Sequence, residues 1–449
     1  MQQPLLIAAA LALSVALPTA ARAEKAGQTR LVIVSSFPKA VTGVFQRAFE
    51  AAHPHVTVQV EKKKTTAGLR YLEKRENRGK VDLFWVSAPD AFEVLKEKKR
   101  LRRFVPSARD IPRRISGYPV NDPDGYYSGF AASGYGIMLN TDYLTRHRLT
   151  RPRRWIDLTR SEYRGAISLC APSRSGTTHV AVEAILQLVG WREGWALIKG
   201  IAANAGTITQ KSSHVPKGVA AGDFGIGIVI DFYALREQAQ GATVDFVYPP
   251  ATVLVPASIG ILMDAPQPEL AARFIEFLVS PQGQQLLLTP EISRLPIRPE
   301  IYGPAIPDYY PHPFAASQIG AHKAFDVHRS RLRYNVVNAL FDTMITFHLD
   351  ELRAAMGAVQ EAESRLLASS HPLPRLSAAV ARARDLIDQT PVDELTSSDP
   401  KFAALFTQKR KTADQPLSGR QGKIETEWEK TTREHYRQAH DLVRAALGE

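Results

Sequence analysis

The stretch Leu31-Val32-Ile33-Val34-Ser35-Ser36 is an apolar, β-branched run that stops on two hydroxyls. Val41, Val44, Phe45, Ala48 and Phe49 follow it at helical spacing, so the segment predicts strand, turn and helix. The same unit recurs twice. Val56 to Val60 alternates as a strand, runs into Lys62-Lys63-Lys64-Thr65-Thr66, and gives way to a helix opening with Leu69 and Leu72. Val81 to Val86 forms a third strand, and Ser87-Ala88-Pro89-Asp90 leads into the next helix. Three consecutive strand–helix units predict a parallel α/β sheet. Ligands of such sheets sit at the carboxyl ends of the strands, where Ser35, Ser36, Thr65, Thr66 and Ser87 fall. Each of these hydroxyls taken alone reads first as a helix cap, and it is their common place at strand ends that points to a ligand.

Further along, Ser128-Gly129-Phe130-Ala131-Ala132-Ser133-Gly134-Tyr135-Gly136-Ile137-Met138-Leu139-Asn140 is rich in small residues and reads as a strand crossing into a second lobe. That lobe is expected to hold a strand at 166–170, helices at 177–189 and 192–203, and a strand from Ile226 to Ile230. Ala257 to Met263 reads as the returning strand, followed by helices at 267–279 and 281–289. Two crossings make two lobes with a cleft between them, a hinge-closing design. The expected division is residues 24–132 with 258–329 for lobe one, 133–257 for lobe two, and 330–449 for a helical C-terminal extension. In that extension the apolar spacing predicts one long helix from Asn335 to Ala368, a second from Arg375 to Gln389 and a third from Ile424 to Leu447. The polar stretch from Pro391 to Lys423 reads as a loose loop in which only the surroundings of Phe402 and Phe406 can pack.

The richest polar turn is Pro172-Ser173-Arg174-Ser175-Gly176-Thr177-Thr178-His179, between a strand and a helix of lobe two. A helix start offers unpaired N–H groups and the positive end of its dipole, so with the hydroxyls of Ser175, Thr177 and Thr178 it makes an anion socket. Arg174 can add a bidentate contact to phosphate or carboxylate. His179 can bridge a hydroxyl and an anion. Asp231, at the end of the strand Gly227-Ile228-Val229-Ile230, can accept bonds from a sugar hydroxyl or an ammonium group, and Ser212 lies in another polar turn. Helix capping is the competing role for each of these residues.

Residues 5–20 are apolar and precede Ala21-Arg22-Ala23, the pattern of a signal peptide (1–23) cleaved after Ala23, which predicts export to a periplasm. Cys170 is the single cysteine, which excludes an internal disulfide and a cysteine zinc site. The chain carries 57 basic and 45 acidic residues; 17 of each fall in 330–449 and Arg22 lies in the leader, leaving 39 against 28 in 24–329. An anionic ligand is one reading of that asymmetry and a generally basic surface the other, and no aromatic-basic motif points to nucleic acid. No second apolar run of spanning length embeds the chain in a membrane. Nucleophile-elbow, zinc-protease and phosphate-loop motifs are all missing, so neither catalysis nor a cofactor or metal is expected.

With Tyr135-Gly136-Ile137-Met138-Leu139-Asn140, Val81-Asp82-Leu83-Phe84-Trp85, Ser175-Gly176-Thr177 and Phe274-Ile275-Glu276-Phe277-Leu278, residues 30–300 resemble the periplasmic solute-binding proteins of ABC transporters. The likeness is to the type II branch that includes ferric-iron, 2-aminoethylphosphonate and hexose-phosphate binders. It implies a two-lobed receptor for a small organic phosphate or phosphonate, serving an ABC permease. The length and helical tail are similar to those of regulatory members that inform a membrane sensor kinase. Phosphate binders of the branch use a Ser-Gly-Thr helix start, which Ser175-Gly176-Thr177 matches. Its iron binders carry a tyrosine pair where this chain has Asp231-Phe232-Tyr233, so an iron site would need tyrosines from elsewhere, such as Tyr309-Tyr310.

Overall fold

A computed structural model describes residues 29–250, 252–315, 319 and 325–448; the expected leader, residues 1–23, lies outside them. Lobe one opens with β1 (Thr29–Ser35), α1 (Lys39–Ala52), β2 (Val56–Lys62), α2 (Thr65–Glu73), β3 (Leu83–Val86) and α3 (Asp90–Glu97), the three units read from the sequence. β1 pairs in parallel with β2 and β3. Its alternate residues enter different cores, Leu31 and Ile33 joining Phe45 and Phe49 on one face, Val32 and Val34 joining Phe84 and Phe92 on the other. A strand covered on both faces has to be apolar throughout, which is why the 31–34 run has no polar alternation.

Two short elements, β4 (Leu101–Arg102) and the hairpin β5 (Arg114–Ile115) with β6 (Tyr118–Pro119), lead to β7 (Ser128–Asn140), buried along its whole length. Lobe two then contains α4 (Thr141–Arg146), β8 (Ile167–Cys170), α5 (Gly176–Val189), α6 (Trp191–Ala203), β9 (Ala205–Thr209), α7 (His214–Ala221), β10 (Ile226–Ile230), α8 (Asp231–Ala239) and β11 (Val244–Val247). The chain returns through β12 (Leu254–Leu262) to α9 (Pro268–Val279), α10 (Pro281–Leu286) and β13 (Leu295–Pro296).

β7 pairs with β12 up to Gly134 and with β10 from Tyr135 onward, so one strand serves the sheets of both lobes. Its glycines allow this. A Cβ on Gly136 would lie 2.3 Å from the Val247 carbonyl oxygen, and one on Gly134 2.7 Å from the Tyr248 ring. The sheet is mixed rather than parallel throughout: the returning β12 runs antiparallel to both β3 and β7.

The C-terminal extension comprises α11 (Val327–Leu332), α12 (Tyr334–Phe341), a π turn (Asp342–Thr346), α13 (Leu349–Ala368), α14 (Pro374–Asp388), α15 (Glu394–Ser397), α16 (Pro400–Ala403) and α17 (Gly419–Leu447). The long helix expected from Asn335 is therefore broken. The break falls at Phe347 and His348, where the π turn ends and His348 leaves the helical region with φ −129° and ψ 36°.

The extension is not an appendage. Leu186, Trp195 and Ile198 of lobe two share one apolar core with Val336, Met344, Val359, Ile387 and Val443. The stretch expected to be loose is pinned by Phe406, whose ring stacks on Trp428 at 5.3 Å. Buried polar ties cross the same boundary. The Lys199 ammonium donates to the Ile387 and Gln389 carbonyls at 2.6 and 2.7 Å. Arg333 meets Glu183 at 2.7 Å with both side chains fully buried. From α11, Arg331 also reaches lobe one, pairing with Glu97 of α3 at 2.5 Å.

Candidate binding site between the lobes

β8 ends at Cys170 and a short turn carries the chain to α5. Ser175 caps that helix, its hydroxyl accepting from the Thr178 N–H at 3.3 Å. The amides of Gly176 and Thr177 belong to the first turn, which has no intrahelical acceptor for them. Arg174 donates to the Thr209 carbonyl at 3.5 Å. Tyr334 of α12 stands beside this start: its hydroxyl is 3.7 Å from where a Gly176 Cβ would be, and its ring packs on His179 at 4.0 Å between centroids.

Two helix starts of lobe one approach the same place. Asp90, the first residue of α3, lies within electrostatic reach of Tyr334 and of Tyr135 on the crossing strand. Burial pushes its carboxyl up to about 6. Lys64 and Arg70, at the start of α2 and one turn into it, lie within reach of Lys409 of the extension, whose ammonium sits 5.8 Å from the Tyr334 ring centroid. Lys64, Arg70, Arg174 and Lys409 form no ion pair among the described residues. Asp342 lies within electrostatic reach of Arg174 and Lys409, but burial opposes its ionisation, so positive charge is in excess at the seam between α2 and α5.

Below the seam, at the crossing of β7, lies a buried polar knot. The Asp231 carboxylate accepts from the Gly134 N–H at 2.6 Å, the Tyr248 hydroxyl at 3.0 Å and the Phe232 N–H at 2.7 Å. Burial nevertheless pushes its carboxyl up to about 7. Arg294 faces it, wedged between the rings of Phe37 and Phe232 at 4.8 and 3.8 Å, with its Nε unpartnered. Burial lowers the guanidinium to about 10 against the pull of Asp231.

The structure thus separates the residues named from the sequence. Arg174, Ser175, Gly176, Thr177 and Thr178 gather at the α5 start, and Thr65 begins α2 across the seam. The Thr66 side chain lies outside the described part. Ser36 and Ser87 are half-buried at the ends of β1 and β3. Three residues move to framework roles. Ser35 is fully buried, its hydroxyl donating to the Trp85 carbonyl at 2.7 Å and so tying β1 to β3. His179 is fully buried, with Nδ1 at 3.0 Å from Asn338 and Nε2 at 3.3 Å from the Ser330 hydroxyl, so it binds the extension rather than a ligand. Asp231 is fully buried and its acceptors are taken by the crossing strand and its own helix. Ser212 follows β9 at the edge of the lobe-two sheet, half-buried and outside these contacts.

Tyr334, Lys409, Asn338 and Arg294 have no sequence motif. Lys64 stands in a run that reads as a solvated surface, and only its position before Thr65 ties it to the site. Of the tyrosine pair considered for iron, Tyr310 packs in the lobe-one core and Tyr309 is exposed. Among the described residues no group of three or more His, Cys, Asp or Glu could hold a metal ion, and no helix is long and apolar enough to cross a membrane.

Comparison with known proteins follows this geometry. Residues 79–295 match the family described as bacterial extracellular solute-binding protein. The periplasmic binding protein AfuA of Actinobacillus pleuropneumoniae, solved with exogenous fructose-6-phosphate bound, superposes with a TM-score of 0.60 at 20% identity, over 70% of this chain and 98% of its own. Iron-bound HitA of Pseudomonas aeruginosa superposes with a TM-score of 0.54 at 18% identity, over 64% of this chain and 91% of its own. These likenesses carry the two-lobed fold. The phosphoglycerate transport regulatory protein of Salmonella typhimurium is 30% identical over 386 residues, which is 84% of this chain and 90% of that protein, so the relationship extends well into the helical extension. The chain therefore belongs to the bacterial extracellular solute-binding proteins, in the family of the phosphoglycerate transport regulatory protein.

Proposed function

We propose that this protein is a periplasmic receptor, freed from its leader after Ala23, whose lobes close on a small organic phosphate or phosphonate. Lobe one in this reading is residues 24–132 with 258–329, and lobe two is 133–257. The bound solute, or the signal it generates, passes to an ABC permease or a membrane sensor kinase, with no chemical step. The observation that carries the reading is the Ser175-Gly176-Thr177 start of α5 with Tyr334 beside it and Lys409 near the Tyr334 ring, Lys409 in turn lying within electrostatic reach of Lys64 and Arg70 of lobe one. The Salmonella relative's phosphoglycerate system and the fructose-6-phosphate bound to AfuA support the same ligand class. Closure follows from the arrangement, because an anion touching both lobes binds the closed state better than the open one.

A thermal-shift panel of 3-phosphoglycerate, fructose 6-phosphate and 2-aminoethylphosphonate tests the class, since a ligand specific for the native state raises its melting temperature. No shift with any of the three would reject it. Calorimetry then tests the site. Ser175→Ala with Thr177→Val should weaken binding of the best ligand by roughly 1–3 kcal/mol, the range for a charged group that loses its hydrogen bonds. Unchanged affinity would remove the α5 start from the ligand site.

A regulatory reading is favoured by one further observation: the extension is joined to lobe two through Arg333–Glu183 and to lobe one through Arg331–Glu97. A partner that reads the extension reads the relation of the lobes. Arg331→Ala should then leave ligand affinity intact while reducing the output of the sensor kinase; equal output would favour delivery alone.

A further inference from the structure

Resting on the phosphate-receptor reading, we infer that the ligand site has a third wall, supplied by the extension: the Lys409 ammonium, the Tyr334 hydroxyl and the Asn338 amide complete the anion socket that α5 begins. The contacts place these groups at one spot. Tyr334 stands 3.7 Å from the Cβ position of Gly176, and Lys409 lies 5.8 Å from the Tyr334 ring. Asn338 holds His179, in the first turn of α5, through its oxygen at 3.0 Å. Its Nδ2 is buried, in a residue only 4% exposed, and interacts with the Tyr334 hydroxyl without making a hydrogen bond of ordinary geometry.

A buried N–H donor whose hydrogen bond is poorly made costs free energy, and an anion is the acceptor that suits the surrounding charge. Lys409 makes no ion pair among the described residues; Asp342 lies within its electrostatic reach, as do the like charges Lys64 and Arg70. Positive charge is in excess around Asp342, a carboxylate whose ionisation burial opposes, so the cluster is stabilised when a dianion enters. The chemical class is a phosphate monoester or phosphonate, whose two charges and three terminal oxygens can engage lobe one, lobe two and the extension together. Ligand binding then fastens the loop around Lys409, which gives the extension direct knowledge of occupancy.

The test uses the full chain and 3-phosphoglycerate as probe, titrated calorimetrically at low and high salt. Lys409→Ala should raise Kd about tenfold at low salt, the scale of one lost charge-assisted hydrogen bond. The difference from wild type should shrink as salt rises, because the missing contact is electrostatic. Lys409→Arg should restore most of the affinity, and Tyr334→Phe should lose severalfold at unchanged melting temperature. Wild-type affinity in both Lys409→Ala and Tyr334→Phe, alongside weakened binding in the Ser175→Ala, Thr177→Val variant, would overturn the third wall and leave the receptor reading standing. A wild-type chain that takes up neither 3-phosphoglycerate nor the other phosphates of the panel would overturn both.

Discussion

His179 holds two parts of the molecule together through a ring that must stay neutral. Burial is the main force keeping its imidazole down at about 3; the Asn338 hydrogen bond pulls the other way, and the charges of Arg333 and Lys409 push it further down. An unfolded histidine takes up its proton near 6.5. Between those values the unfolded chain binds the extra proton, so stability from this residue is complete above about pH 6.5 and is lost as the pH falls toward 3. Asp231 has the opposite slope: its carboxyl, raised to about 7, favours the folded chain at acid pH and loses that advantage as the pH rises from about 4 to 7. His179→Gln should therefore flatten the acid-side decline in the guanidinium midpoint between pH 6.5 and 4, whatever its midpoint at pH 7.5. A decline parallel to wild type would assign the acid sensitivity to another group. The Ser-Gly-Thr start was legible because a helix start declares itself within a few residues. The role of His179 was not, since its partner Asn338 lies 159 positions away. Arg294 was equally hidden, because its neighbours Phe37 and Phe232 come from different lobes.

At the scale of elements, hydrophobic period carried the strand–helix units well: β1, α1, β2 and α2 lie where the residues predict them. Strand direction was not available from period, because an antiparallel strand buried on both faces looks like a parallel one, and β12 is such a strand. The continuous helix expected from Asn335 fails at a local feature, a π turn followed by His348 outside the helical region. The small residues of β7 were a sounder signal, and their role can be measured. Gly136→Ala forces a methyl against the Val247 carbonyl oxygen, a backbone atom that cannot rotate away, and should cost about 3 kcal/mol in denaturant unfolding. Gly303→Ala, where nothing lies within 4 Å of the new methyl, should stay within about 0.5 kcal/mol of wild type. Equal midpoints for the two variants would mean that β7 does not need its close approach to β11.

For the whole molecule, the decisive fact is where the extension keeps its apolar face. An amphipathic helix in a sequence announces that it needs a partner and leaves the partner's identity open, which is why residues 330–449 read as a separate module. The structure gives the stripe to lobe two: one core takes residues from α5 and α6 together with α12, α13, α14 and α17. Removing residues 330–449 therefore strips Leu186, Trp195 and Ile198 of neighbours and leaves Glu183 buried without Arg333. Losing one partner of a buried ion pair by itself costs about 3–5 kcal/mol, a large part of the roughly 5–15 kcal/mol that holds a domain folded. The truncated chain should be recovered as aggregate, or as a soluble lobe one attached to an unfolded lobe two that has lost its helical circular dichroism. In the full chain, lobe two and the extension should melt in a single calorimetric transition. A truncated chain that keeps its lobe-two helices and its thermal shift with 3-phosphoglycerate would make the extension dispensable to the fold, and the shared core would then add little to stability.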